Sequence, residues 1–293
     1  MYDALKRHWP EYLMEAAGLG LFMISAGVCA TMLEYSGSAV REAIPDPALR
    51  RMLMGIAMGL TAIGIIYSPW GKQSGAHINP SITLTFFRLG KISPWDTAFY
   101  VVAQFAGGIA GMLLVSLLIG RYLAEPSINF VATVPGPNGH AMAFAAELVI
   151  SFCLMLVVLF STNTQRLASW TGVFAGLLIA TFITLEAPLS GMSINPARTL
   201  ASALSAWLWT GLWIYFTAPV IGMLLAAESY LFLRGKPRVF CAKLHDQNNK
   251  RCIFPCGFHK ADCFPHTGFQ GPLAHIEPVK SGGFRVGQCQ CVW

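Results

Sequence analysis

Ser190-Gly191-Met192-Ser193-Ile194-Asn195-Pro196-Ala197-Arg198-Thr199 has an earlier counterpart, Ser74-Gly75-Ala76-His77-Ile78-Asn79-Pro80-Ser81-Ile82-Thr83. Both read S-G-x-x-I-N-P-x-x-T, and the two Asn residues lie 116 positions apart. Each Asn-Pro predicts a helix start, because Asn is a preferred N-cap and Pro is tolerated in the first turn, where its missing N–H costs nothing. The apolar stretches that follow are short. Ile82 to Phe87 ends at Arg88, and Leu200 to Trp209 is interrupted by Ser. Neither approaches the roughly 20 residues needed to cross a bilayer. Two half-length helices with matching starts, one in each half of an apolar chain, point to a pore or transport site at the interface of an inverted repeat.

The chain around them is apolar throughout. Of 293 residues, 55% are hydrophobic and only 12% charged, with a mean hydropathy of +0.54. Soluble domains average about 25% charged residues, so this composition reads as a membrane protein. The net charge of +6 is not a nucleic-acid signature, because the basic residues flank apolar segments or sit in the tail. No cleavable signal peptide is expected: residues 1–11 carry Asp3, Lys6, Arg7 and Glu11, and the run after them is too long for a signal core.

Six runs are long enough to span: Tyr12–Leu33, Met52–Trp70, Thr97–Gly120, Ala141–Ser161, Leu167–Leu185 and Trp207–Ala227. Glycines recur inside them, and Gly107-Gly108-Ile109-Ala110-Gly111 is the best candidate for close helix packing. The order is three spans with a half-helix between the second and third, then the same again. The Pro- and Gly-rich Val131–His140 reads as the connection between the halves. Six spans put both ends of the chain on one side. Near span ends that side holds nine basic residues (Lys6, Arg7, Lys72, Arg88, Lys91, Arg166, Arg234, Lys236, Arg238), against Arg41, Arg50, Arg51 and Arg121 on the other. The excess predicts cytoplasmic termini.

Glu15 and Glu147 sit near the starts of spans one and four, equivalent places in the two halves. An ionised carboxylate in a membrane helix is costly and needs an interior partner. Two readings are open: a proton-relay acid, or an acceptor for the backbone N–H groups of the re-entrant loops. The joint repetition of loop and Glu favours the second. If the loops enter from opposite faces, the half-helices meet at their N-termini, each carrying roughly +0.5 of partial charge. Asn79 and Asn195 then offer donors to whatever passes, and Arg198 adds a fixed charge at the outer narrowing. Such a path suits small neutral molecules and disfavours cations and proton hopping.

With both loops, both Glu residues, Ala103-Gln104-x-x-Gly107 and Trp213-Ile-Tyr-Phe-x-x-Pro219 in hand, the chain resembles the aquaporin, or major intrinsic protein, family over about residues 10–234. The resemblance is to its water-channel-like, bacterial-type members. It implies an all-α bundle of six transmembrane helices and two re-entrant half-helices, and one pore per protomer. It also implies a homotetramer in the plasma or inner membrane, with water and small neutral solutes as its partners. Repeat one covers about residues 10–120 and repeat two about 140–234, with a Cys/His-rich tail at 235–293. The pore motifs are Asn79-Pro80-Ser81 and Asn195-Pro196-Ala197, with Ser81 departing from the family's Ala. Loop-bracing falls to Glu15, Glu147, His77 and Gln104. Thr199, Ala203 and Tyr215-Phe216 stand where glycerol facilitators usually carry Asp, Arg or Lys, and Pro with an aliphatic, so the water-channel side is favoured. The filter departs from it: Ile183 replaces the His of strict water channels, beside Arg198, Met192, and either Met58 or Gly59. Water with some passage of glycerol, hydrogen peroxide or ammonia is expected, ions and protons being excluded.

The tail holds six of the eight cysteines and four of the seven histidines. Cys252, Cys256, His259 and Cys263 have ligand types that suit zinc or another thiophilic metal, at a spacing that is not a standard one. The channel itself requires no cofactor. A small metal-bound knob, as a sensor or gate over the pore mouth, and a loosely packed tail are both compatible with this composition. Among other function classes, a secondary transporter built on an inverted repeat would need ionisable coupling residues near the midplane, yet spans two, three, five and six carry none. An enzyme has no nucleophile–base arrangement to stand on.

Overall fold

The computed structural model describes residues 1–235 and 239–257, and every regular element in it is helical. Helix α1 (Tyr2–Glu34) is 33 residues long, about 50 Å at 1.5 Å per residue, and exceeds a ~30 Å hydrocarbon core. Its charged first turns therefore continue the helix beyond the apolar stretch. After the short α2 (Ala39–Ala43) come α3 (Pro47–Tyr67), capped by Asp46 accepting from the N–H of Ala48, and one further turn, α4 (Pro69–Ser74). The first half-helix, α5 (Pro80–Arg88), precedes α6 (Pro94–Leu123). The second half repeats this order with α7 (Gly139–Thr162), α8 (Thr171–Leu185), the single turn α9 (Ala187–Ser190), the half-helix α10 (Pro196–Ala206) and α11 (Leu212–Arg234). Among the described residues six helical segments are long and apolar enough to cross a membrane, the fifth being α8 together with the turn Ala168–Trp170 before it.

The last span differs from its sequence limits. Trp207 takes a left-handed φ of 51° and ends α10, Gly211 takes φ 67°, and α11 starts only at Leu212. An apolar run that looks continuous from Trp207 is thus cut by a reversal, for which Gly211 supplies the conformational freedom.

The bundle is knit by pairs: α1 with α6, α7 with α11, and α3 with α8. Small residues set the first of these. Gly107 and Gly111 of α6 lie against Ala16 and Gly20 of α1, and a Cβ built on Gly107 would stand 2.1 Å from the carbonyl oxygen of Ala16. Backbones this close leave no side chain to move aside. Gly107→Val is expected to cost on the order of 3 kcal/mol or more, read as a fall in unfolding temperature in detergent. Gly64→Ala, where nothing lies within 4 Å, is its near-neutral control.

Candidate functional site

Each Asn-Pro loop is held by the same local device. Gly75 (φ 97°), Ala76 (54°) and Ile78 (41°) are left-handed, and so are Gly191 (82°), Met192 (51°) and Ile194 (51°). Side-chain-bearing residues adopt this region at roughly 1–2 kcal/mol each. The return is that consecutive N–H groups converge on one buried carboxylate. Glu15 Oε1 accepts from Ser74 Oγ at 2.7 Å and His77 N at 3.1 Å, and Oε2 from Ile78 N at 2.6 Å and Gln104 Nε2 at 2.8 Å. In the second half Glu147 Oε1 accepts from Ser190 Oγ at 2.8 Å and Ser193 N at 2.6 Å, while Oε2 accepts from Ile194 N at 2.7 Å. Both carboxylates are fully buried. Tyr100 and Tyr215 add a matching pair, donating their hydroxyls to the carbonyls of Ser74 and Ser190. Sequence reading missed Tyr100 and named Tyr215 only within the Trp213–Pro219 run, without this bracing role.

Asn79 and Asn195 meet reciprocally. Asn79 Nδ2 donates to the carbonyl of Ile194 at 2.7 Å, and Asn195 Nδ2 donates to that of Ile78 at 2.8 Å. Their Oδ1 atoms face the other way. Asn79 accepts from Ser81 N, and Asn195 from Ala197 N and Arg198 N, capping α5 and α10. An amide NH2 has two hydrogens, so each Asn keeps one for the cavity that both residues line. Pro80, Ser81, Pro196 and Ala197 are buried where the two half-helices start.

That cavity has a volume of about 400 Å³. Its walls are helical stripes at a spacing of three or four residues: Met54, Met58, Ala62 and Ile66 on α3, and Ala175, Ile179, Ile183 and Ala187 along α8 and α9. Met192 and Arg198 also line it. Of the α3 alternatives, Met58 faces the cavity, whereas Gly59 is pressed against α8, its would-be Cβ 2.5 Å from the carbonyl of Gly176. The α3–α8 register places two further residues beside Ile183. A Cβ on Gly55 would stand 2.8 Å from Thr184 Oγ1, and Arg51 Nε donates to the Thr184 carbonyl at 2.9 Å. Arg51 and Met54 therefore stand at the Ile183 end of the cavity, whose wall also holds Arg198. Arg198 Nη1 is buried with no hydrogen-bond partner among the described residues, so its N–H groups are left to an occupant of the cavity. Glu186, buried at the α8–α9 corner, is pushed up to about 7; burial is the main cause, Ser190 pulls it down and the Glu147 charge raises it.

His77 occupies the place that Ser193 holds in the second half. Its Nε2–H donates to the carbonyl of Ala242 at 2.7 Å, which leaves Nδ1 to accept from Thr83 Oγ1 at 3.1 Å. Gln104 donates to the same Thr83 oxygen at 3.0 Å. A continuous polar chain thus runs from Glu15 through Gln104, Thr83 and His77 to the tail. The tail segment 239–257 folds back onto the first loop. Leu244 N donates to the Gly75 carbonyl at 3.0 Å, Phe254 stacks on His77 at 5.6 Å between centroids, and Leu244 lines the cavity. Cys252 and Cys256 are joined by Cys241, with Sγ separations of 3.0 Å (252–256), 3.1 Å (241–256) and 3.8 Å (241–252). His259 and Cys263, which the sequence put in the same ligand set, lie outside the described residues. His245 is not in the cluster; its ring meets Tyr67 at 5.1 Å.

A family model described as Major intrinsic protein matches residues 5–230. Aquaporin NIP2-3 of Zea mays is 33% identical over 230 residues, covering 77% of this chain and 73% of its own. Probable aquaporin NIP7-1 of Arabidopsis thaliana is 31% identical over 232 residues, covering 78% and 79%. Among solved structures, the X-ray structure of the aquaglyceroporin from Plasmodium falciparum shares the fold at a TM-score of 0.62. It is 22% identical and covers 76% of this chain and 95% of that one.

Proposed function

Because the chain belongs to the major intrinsic protein family, we propose that the cavity between the two loops is a passive pathway for water and small neutral solutes. The observation that carries this reading is the reciprocal Asn79–Ile194 and Asn195–Ile78 pair at the meeting point of two helix N-termini. A molecule at that point finds two amide donors and a positive partial charge. It can turn its acceptor toward them, but a cation or a relayed proton meets repulsion. Most of the remaining wall is apolar, with Glu34, Arg51 and Arg198 its charged members.

Solute choice rests on Arg198, Ile183 and Met192, with Met58 below them and Met54 and Arg51 alongside. Three of these positions are thioethers, which reshape easily around an occupant. Without a His at 183, the wall is less polar than a strict water filter, so glycerol, hydrogen peroxide and ammonia belong among the permeants. Ile183→His is expected to cut glycerol flux several-fold while water flux persists. Stopped-flow swelling of proteoliposomes in water and glycerol gradients measures both. No water flux above bare lipid in any state would sink the channel reading, and flux that saturates with an ion gradient would favour a coupled transporter.

Both termini are assigned to the cytoplasm from the basic residues around the span ends, in a plasma or inner membrane. The apolar outer faces, including Leu117, Leu118 and Phe232, suit lipid and the neighbouring subunits of a homotetramer. Residues 1–234 make the channel unit and residues from 235 onward an appended tail. Conduction calls on no cofactor; a thiophilic metal belongs only to the tail thiols.

A further inference from the structure

We propose that residues 239–257 are a lid over the tail-side mouth of the pore, held shut by a soft d10 metal ion of the zinc class bound to the Sγ atoms of Cys241, Cys252 and Cys256. The lid rests on the reading of the cavity as a conducting path, and adds regulation to it.

Three thiols from separate points of a 19-residue segment converge on one spot. Sulfurs held at about 2.3 Å from a tetrahedral ion stand about 3.8 Å apart. The Cys241–Cys252 pair already has that separation, and the other two pairs need to spread by several tenths of an ångström. All three distances are far beyond the ~2.05 Å of a disulfide. Binding displaces three thiol protons to solvent and transfers no electrons. The resulting negative charge has a fixed neighbour in Lys243, which is fully buried and donates its Nζ to the carbonyls of Lys250 and Arg251, the residues leading into Cys252. A buried ammonium is costly unless anions lie nearby, and the segment's own buried carboxylate, Asp246, stands only three residues on.

The same segment bears on the pore through residues next to a ligand. Ala242, whose carbonyl accepts the His77 Nε2–H hydrogen bond, directly follows Cys241. Leu244, two positions on, puts its side chain at the cavity and its N–H on the Gly75 carbonyl. Phe254, between Cys252 and Cys256, covers the outer face of His77, whose inner face stacks on Phe86 at 5.1 Å. Besides the Ala242 and Leu244 bonds, the segment meets the bundle through Phe240 N on Asn163 Oδ1, Gln247 Nε2 on the carbonyl of Gln165, and Arg251 on the carbonyl of Arg7 and, at 3.8 Å, on Glu11. A segment without helix or sheet ladder depends on a cross-link for its shape, and an ion at the three sulfurs ties its two ends together. Loss of the ion frees Cys241 and, with it, the Ala242–His77 latch and the Leu244 plug.

The test uses the full-length chain. Elemental analysis after equilibration with zinc should give about one ion per chain, lost in each of Cys241→Ser, Cys252→Ser and Cys256→Ser. Cobalt(II) in place of zinc should show a thiolate charge-transfer band that the same variants lack. In proteoliposomes, a membrane-permeant chelator should raise water permeability about tenfold, and zinc should reverse it. Leu244→Gly should bind zinc normally and conduct whether or not the ion is present. Zinc binding that survives all three Cys→Ser changes, or a Cys252–Cys256 disulfide in place of the ion, overturns the site. Equal permeability of the wild type with and without zinc overturns the lid while leaving the channel intact. A chain that conducts in no state, Leu244→Gly included, sinks the channel reading and the lid with it.

Discussion

Glu147→Ala is expected to abolish folded, flux-competent protein. The carboxylate takes the N–H groups of Ser193 and Ile194 and the hydroxyl of Ser190, all inside the bundle. Each buried donor left without an acceptor costs about 1–3 kcal/mol, so three together approach 5 kcal/mol. That sum equals the lower end of the stability of ordinary domains. The loop has no cheaper conformation to fall into, because Met192 and Ile194 stay left-handed only while their neighbours' N–H groups are taken. Glu147→Gln should fall between: one oxygen can keep Ser190 and Ser193, but the amide NH2 then confronts the N–H of Ile194. Size-exclusion profiles of detergent extracts and unfolding temperatures provide the readout. A Glu147→Ala protein that stays monodisperse, melts within a few degrees of wild type and conducts water would show that the carboxylate does not brace the loop.

The second large effect is expected at Arg198. Its guanidinium lies in the cavity wall with Nη1 unpartnered, so Arg198→Ala strands no protein acceptor and should fold. A unit charge acting at about 5 Å through an effective dielectric near 20 is worth about 3 kcal/mol. Its removal should lower the barrier to monovalent cations by about that amount, a rise in leak on the order of 100-fold over a very low baseline. The lost side chain also widens the path, so glycerol permeability should rise about tenfold while water flux persists. Arg51 lines the same cavity and retains part of the positive field, so Arg51→Ala/Arg198→Ala should leak more than either single change. Cation flux read with an ion-sensitive dye in proteoliposomes, beside glycerol swelling, checks both. If the leak does not change, ion exclusion lies at the Asn pair alone.

Much of this was legible in the sequence because repetition leaves a strong trace. The two S-G-x-x-I-N-P-x-x-T stretches set the half-helices, and the equivalent placing of Glu15 and Glu147 pointed to their anchors. What escaped were matters of register and of backbone. Between α3 and the first loop the turn α4 runs longer than its counterpart α9, so counting back from Asn79 arrives at Met58 or Gly59. The α3–α8 contact, made by Gly55 on Ala180 and Thr184, brings Arg51 and Met54 beside Ile183 as well. No local pattern reports a helix–helix register. The start of α11 was hidden because Trp207 and Gly211 break an apolar run by conformation, with no change of polarity. In the tail, Cys241 was visible as one of a Cys/His-rich group, but its meeting with Cys252 and Cys256 was not. Cys241 reaches them only because the chain doubles back over His77, and the Ala242 carbonyl that fixes this fold has no side-chain signature.

The crossed Asn–carbonyl bonds also bear on how the chain is made. The carbonyl of Ile78 is satisfied by Asn195, and that of Ile194 by Asn79. When the ribosome has delivered the first three spans, the loop at 74–79 has its Glu15 anchor, yet a carbonyl at membrane depth lacks its donor. That partner emerges more than a hundred residues later. The first half must therefore wait, its loop loosely seated or hydrated, until the second half inserts from the other face. The two loops then lock in one step, each completing the other, so half of this molecule is not a smaller version of the whole.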